Sequence, residues 1–240
     1  AIVPGYITLL TDQGPEKTFI LGAPDPEASA NHFCGPNAVG GVVLKKNAVI
    51  RDFALTSAYT KGLNTGSDWG AAVRCDNGLS SGETGAYVVG CVITNNVAAR
   101  GAGLWGATAV RCRFNDNWAS TTGVDIMQGR SYNCVFGDIQ SPSGDGKYNV
   151  YQGDVHVNAT FYGNGRSSHN SSGLIRNSVV LKQSTGTTVV YKNCLLGAEG
   201  KYDRHNGYSD SRYATGEGLG LDANYVPIMG SPALDNAKAA

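Results

Sequence analysis

Asp125, Asp154 and His156 are the side chains of this 240-residue chain best suited by type to move protons. A carboxylate beside a second carboxylate or an imidazole can serve as general acid and base. Asp125 lies in TGVDIM (122–127), and Asp154 and His156 follow the next similar segment, YNVYQ (148–152). Asp125 has no carboxylate neighbour in its own column of aligned segments. The three are therefore catalytic candidates without a motif. A second group has binding chemistry. Aligning GAAVR (70–74), GAGLW (101–105), TGVDIM and YNVYQ puts Arg74, Trp105, Met127 and Tyr151 in one column. Ala72, Gly103, Asp125 and Asn149 form the other outward column. Indole and phenol faces on a rigid sheet can stack on a sugar ring, and neighbouring rungs repeat at about one sugar unit. Two readings of this face stay open. It is a groove for a glycan or a protein partner, or it is roofed by a loop at 56–68 or 138–148.

The elements that must position these residues show in a repeat. Ala48, Cys91, Cys112, Cys134, Ala159, Ser178 and Cys194 are all small, and two places later stand Ile50, Ile93, Phe114, Phe136, Phe161, Val180 and Leu196. Small–any–large alternation has period two and marks a strand with one buried face. Four places after the small residue come Asp52, Asn95, Asp116, Asp138 and Gly163, residue types that accept a left-handed backbone and so mark corners. The glycine-rich segments supply a second strand, with Ala71, Ala102, Val124, Tyr148 and then Val73, Leu104, Ile126, Val150 pointing inward. A self-similar unit of about 20 residues built from short strands and corners is a solenoid. The cysteines recur because one interior column takes a small, slightly polarisable residue. Cys34 and Cys75 lie outside that column and are the candidate disulfide pair for an oxidising compartment.

Composition narrows the function. Nineteen basic and 19 acidic residues leave no net charge, so no nucleic-acid partner is expected. No apolar run reaches the ~20 residues of a membrane span. The four histidines are scattered and no Cys/His spacing suits zinc, so neither metal nor cofactor is expected. Few charged residues (16%) with 33 glycines lean towards an extracellular or cell-surface protein.

The segment TAVRCRFNDNWASTTGVDIMQGRSYNCVFGD resembles the right-handed parallel β-helix repeat proteins of the pectin-lyase-like type, in particular secreted and surface members with Asn-Cys-apolar repeats. ITLLTDQGPEKTFILGA and GPNAVGGVVLKKNAVIRDFALTSA are similar to their opening coils, and LDANYVPIMGSPALDNA to their closing stretch. The resemblance implies an all-β fold, a single right-handed parallel β-helix of about seven to eight coils. Residues 1–40 are its opening coil and cap, 41–197 its regular coils and 198–240 its closing segment. The fold hosts lyases, hydrolases, adhesins and structural proteins, so function rests on the site. Two functions follow as expectations. One is a non-catalytic surface module, structural or adhesive, binding glycan through Arg74, Trp105, Asp125, Met127, Asn149 and Tyr151. The other is a polysaccharide lyase or glycoside hydrolase working through Asp125, Asp154 and His156. A bare first coil exposes strand edges. AIVPGY folds over it, or a neighbouring domain or subunit covers it.

Overall fold

The structure, a computed structural model, describes residues 1–63, 68–75, 85–121, 123–140, 148–151, 155–164, 166–169, 174–181, 189–192, 194–197, 208–209 and 212–214. Strands of two to four residues stack in parallel ladders. Among the described residues one ladder has seven strands and runs from Ile2–Val3 through Val42–Leu44, Val73–Cys75, Leu104–Trp105 and Ile126–Met127 to Arg166–His169. Two ladders have nine strands each among the described residues, starting at Thr8–Leu10 and at Phe19–Leu21. A fourth, of three strands, holds Val97–Ala98, Asn117–Ala119 and Ile139–Gln140. Each turn of chain adds one rung to each long ladder, which makes the molecule a parallel β-helix solenoid.

The corners explain why the strands are so short. Asp52, Gly90, Arg111, Asn133, Asn158 and Asn177 all have positive φ and precede the rungs of one ladder. Asn47, Gly85, Gly106 and Gln128 form a second such column, Ser57, Asn95 and Asp116 a third, and Gly70, Gly101 and Gly123 a fourth. A left-handed residue breaks the extended backbone, so the chain turns after two or three residues of strand. Asparagine, aspartate and glycine fill most of these places because they enter that region at least cost.

The interior is filled by columns. Phe114, Phe136 and Phe161 stack face to face on consecutive rungs, with centroids 5.1 and 4.5 Å apart and rings within 7° of parallel. Each is fully buried, and burying such a side chain contributes about 1.5–3 kcal/mol. Cys91, Cys112 and Cys134 stack beside them, and all six cysteines are buried thiols. No disulfide therefore joins Cys34 to Cys75. Cys34 instead lies 3.8 Å from the Thr60 hydroxyl, and Cys75 packs in the core.

The expected alignment of Ala48 and Ile50 with Cys91 and Ile93 needs correction. Ile50 pairs with Val88, and it is Phe53 and Leu55 that precede Cys91 and Ile93 in their ladder. The reason is that the small–any–apolar pattern occurs twice per turn. Ala48 and Ala86 stand in the neighbouring ladder just where Cys91 stands in its own, so the pattern alone fits both registers.

Candidate functional site

The seven-stranded ladder carries the site. Within its first four strands the alternation holds: Val42, Val73 and Leu104 point into the core, while Val43, Arg74 and Trp105 face out in register, whereas both residues of Ile126–Met127 are buried. Arg74 and Trp105 are half-buried, and the Arg74 guanidinium sits 5.6 Å from the centre of the Trp105 ring. Trp69 meets Trp105 edge to face at 5.6 Å, and the Arg100 guanidinium lies 5.7 Å over Trp69. Trp105 Nε1 also donates to Gln128 Oε1 at 3.3 Å. Two indoles are thus each held by a cation, an arrangement worth about 0.5–1 kcal/mol apiece at partly exposed sites.

Beside this cluster opens a cleft of ≈ 430 Å³, lined among others by Tyr59, Lys61, Asp68, Trp69 and Arg74, with the Gly40–Gly41 backbone on its floor. Tyr59, Lys61 and Asp68 come from the stretch 56–68 expected as a roofing loop, and Trp69 follows it directly. Of that stretch's described residues, Tyr59, Thr60, Lys61 and Asp68 line the cleft. Burial raises the Tyr59 phenol pKa, helped by the nearby Cys34, so Tyr59 offers a hydroxyl donor. Indole, guanidinium, phenol, ammonium and carboxylate thus meet at one opening.

The other expected site residues fall elsewhere. Asp125 does not face outward; it is fully buried. Its Oδ1 accepts from Asn117 Nδ2 at 2.8 Å and its Oδ2 from Asn149 Nδ2 at 2.6 Å. Asn117 belongs to a buried asparagine ladder, accepting from Asn96 Nδ2 at 2.9 Å and donating to the Ile93 carbonyl at 3.1 Å. Burial raises the Asp125 pKa to about 7 against the lowering effect of these two amide hydrogen bonds. Asn149 is buried as well, and its Oδ1 has no hydrogen-bond partner among the described residues. For Gly103 and Asp125 the outward assignment failed because the period of two applies only inside a strand, while Asn149, inside Tyr148–Tyr151, is buried along with both its neighbours. Gly101 and Gly123 have positive φ just before these positions, and the corner turns the residue ahead of the strand inward too. Gly103 shows the same geometry, since a Cβ there would lie 3.0 Å from the Phe114 ring and 2.7 Å from the Asp125 carbonyl oxygen.

Met127 pairs with Trp105 in register, but it is fully buried and offers no surface. Tyr151 pairs with Met127 along the backbone, and its side chain lies outside the described residues, as does Asp154 altogether. His156 is buried in a different, nine-stranded ladder. Its Nδ1 is 2.7 Å from the Ser131 hydroxyl, and its ring stands edge-on to Phe136 and Phe161. Burial lowers its pKa to about 3, which keeps the imidazole neutral. Asp125 and His156 therefore do not meet in an open groove. Sequence reasoning found Arg74 and Trp105 and missed Trp69, Tyr59, Lys61, Asp68 and Arg100. The one signal for Trp69 was the Trp-Gly pair opening the first glycine-rich segment.

The chain matches no protein-family model, no curated protein and no solved structure.

Proposed function

We propose that the chain is a non-catalytic β-helix module of the pectin-lyase-like kind, secreted or displayed at a cell surface, that binds a glycan at the Trp69–Trp105–Arg74 cleft. The observation that carries this reading is the pair of indoles at 5.6 Å, each pinned by an arginine, beside a mostly apolar cleft into which Tyr59, Lys61 and Asp68 bring polar groups. Sugars are held by aromatic faces and by convergent hydrogen-bonding groups, and both are present here. The rungs beneath are rigid and the indoles are already placed, which lowers the ordering cost of binding. The lyase or hydrolase alternative has no observation in its favour, since Asp125 and His156 are both committed to the interior.

A glycan-array screen of the purified chain tests the reading, with Trp69→Ala, Trp105→Ala and Arg74→Ala alongside. Binding weakened about tenfold by each substitution is expected, the size of a lost stacking or cation contact. Absence of binding to every acidic and neutral glycan overturns the proposal.

A further inference from the structure

The ladder that begins at Thr8–Leu10 keeps one pattern over seven consecutive rungs, from Val49–Arg51 to Val190–Lys192. The middle residue of each strand is buried and the two beside it are not. The outward face of this sheet is therefore open along its length, with Tyr87 43% and Val190 40% exposed. The other nine-stranded ladder differs, since Thr160 and Val179 face outward there in register yet are buried. A sheet face left to water ordinarily carries polar side chains. Here nine of the fourteen outward positions hold valine, leucine or tyrosine. Val89, Val110, Tyr132 and Val157 follow one another in register on four rungs. One position is Thr108, the other four are the cations Arg51, Arg130, Arg176 and Lys192, and none is a carboxylate. Arg111 adds a cation at the corner after Val110. Asp52, at the border of the face, is taken up by Arg51 Nε at 2.8 Å. Arg176 and Lys192 stand side by side in register, and Arg176 Nε is buried without a hydrogen-bond partner among the described residues. Like charges placed so repel, and an anion held by both removes that cost.

We propose that this face is a docking surface for an anionic lipid bilayer. Its charge selects an acidic partner, because the chain as a whole carries no net charge while these strands present only cations. A second copy of the same face would meet it with like charge. Shape then selects a lipid surface over a protein. Seven rungs at a spacing of ~4.8 Å make a rigid strip about 29 Å long, levelled by short β-branched side chains. A bilayer asks for no matching relief. It asks for cations at the depth of the phosphates, tyrosines in the headgroup layer and apolar groups that reach the boundary of the acyl chains. Arg51 at one end, Arg176 and Lys192 at the other and Arg130 between them supply the cations. Tyr87 and Tyr132 supply the phenols, and the valines supply the apolar contact. The cleft lies on the seven-stranded ladder, a different side of the solenoid, so a chain docked in this way keeps the cleft accessible. The inference does not rest on glycan binding.

Co-sedimentation with vesicles tests it on the 240-residue chain, without glycan. One set of vesicles is phosphatidylcholine alone, and the other holds phosphatidylserine at about one lipid in three. Binding to the mixed vesicles only, weakening as salt rises, is expected. A chain without net charge gains nothing from bulk attraction, so such binding reports on a face. The double variant Arg176→Ala with Lys192→Ala should weaken it about twentyfold, since each cation lost beside anionic lipid removes about fivefold. Its circular dichroism spectrum should match the parent's, because neither side chain belongs to the core. Lys192→Ala alone, at an exposed position, should weaken binding about fivefold and gives the readout should the double variant not fold. Lys61→Ala, at the cleft, should leave binding in place. No binding to the mixed vesicles overturns the proposal. So does binding that both alanine variants of this face leave unchanged. Binding to dextran sulfate with none to vesicles overturns it too, and makes the partner an anionic polymer.

Discussion

The interior around Asp125 and His156 and the cleft around Trp69 and Arg74 draw on the same residue types, yet the protein uses them in opposite ways. Inside, the Asp125 and His156 side chains are tied to neighbouring rungs. The Asp125 carboxylate takes two amide hydrogen bonds, and the His156 ring sits between a serine and two phenylalanines. At the cleft, the groups hold one another by face contacts but still present polar atoms to an opening. The difference shows that an acid or a histidine in a repeat is not a catalyst by virtue of its type. Where its corner turns inward, it becomes part of the scaffold, with a pKa set by desolvation.

Removing the carboxylate should have the largest effect. Asp125→Ala takes one of two acceptors from each of the buried Asn117 and Asn149 amides and opens a small cavity. A loss of about 2–4 kcal/mol is expected in chemical denaturation. If the variant is as stable as the parent, the interior is not organised around this carboxylate.

The next two predictions set the interior groups against each other through pH. Asp125 ionises near 3.8 in the unfolded chain but only near 7 in the fold, so folding takes up a proton and stability falls as pH rises through that window. His156 runs the other way. Its pKa drops from 6.5 to about 3 on folding, so the unfolded chain takes up the proton and stability falls as pH drops through that window. Between 3.8 and 6.5 the two slopes oppose, and the parent protein should be nearly flat from this pair. Asp125→Asn should leave the histidine slope, with stability rising with pH by on the order of 1 kcal/mol per unit. His156→Gln should leave the aspartate slope, with stability falling with pH by a similar amount. Melting temperatures at three pH values separate these outcomes, and two variants with the same sign of slope would contradict them.

The smallest effect on stability belongs to the cleft. Arg74→Ala should cost under about 1 kcal/mol, the range of a partly exposed cation–ring contact. Its consequence should appear in ligand binding. A loss as large as that of Asp125→Ala would make Arg74 part of the scaffold and erase the contrast.

Much of the scaffold was legible beforehand. The column of Cys91, Cys112 and Cys134 with its partners Ile93, Phe114 and Phe136 stacks as the alternation requires, and Asn95 and Asp116 are left-handed corners. The inward column Val73, Leu104, Ile126 and Val150 is in register too. The site was half legible. Arg74 and Trp105 could be placed because they sit inside strands, where side chains alternate. Trp69, Tyr59 and Asp68 could not, since no aligned segment of sequence reached them; only the fold bridges Tyr59 to Val97 and Trp69 to Arg100.

What the amino-acid sequence determined by itself is the parallel solenoid, because its signals are local. Alternation over three residues sets a buried face, and Asn, Asp and Gly at recurring places set the corners. Tertiary structure alone decided which way the corner residues point, and therefore that Asp125 is buried. It also decided that Ile50 stacks under Val88, and that residues 59–61, 68–69 and 74 line one cleft. These outcomes depend on stacking between residues a full turn apart, where two registers satisfy the same local pattern and only side-chain contacts between rungs separate them.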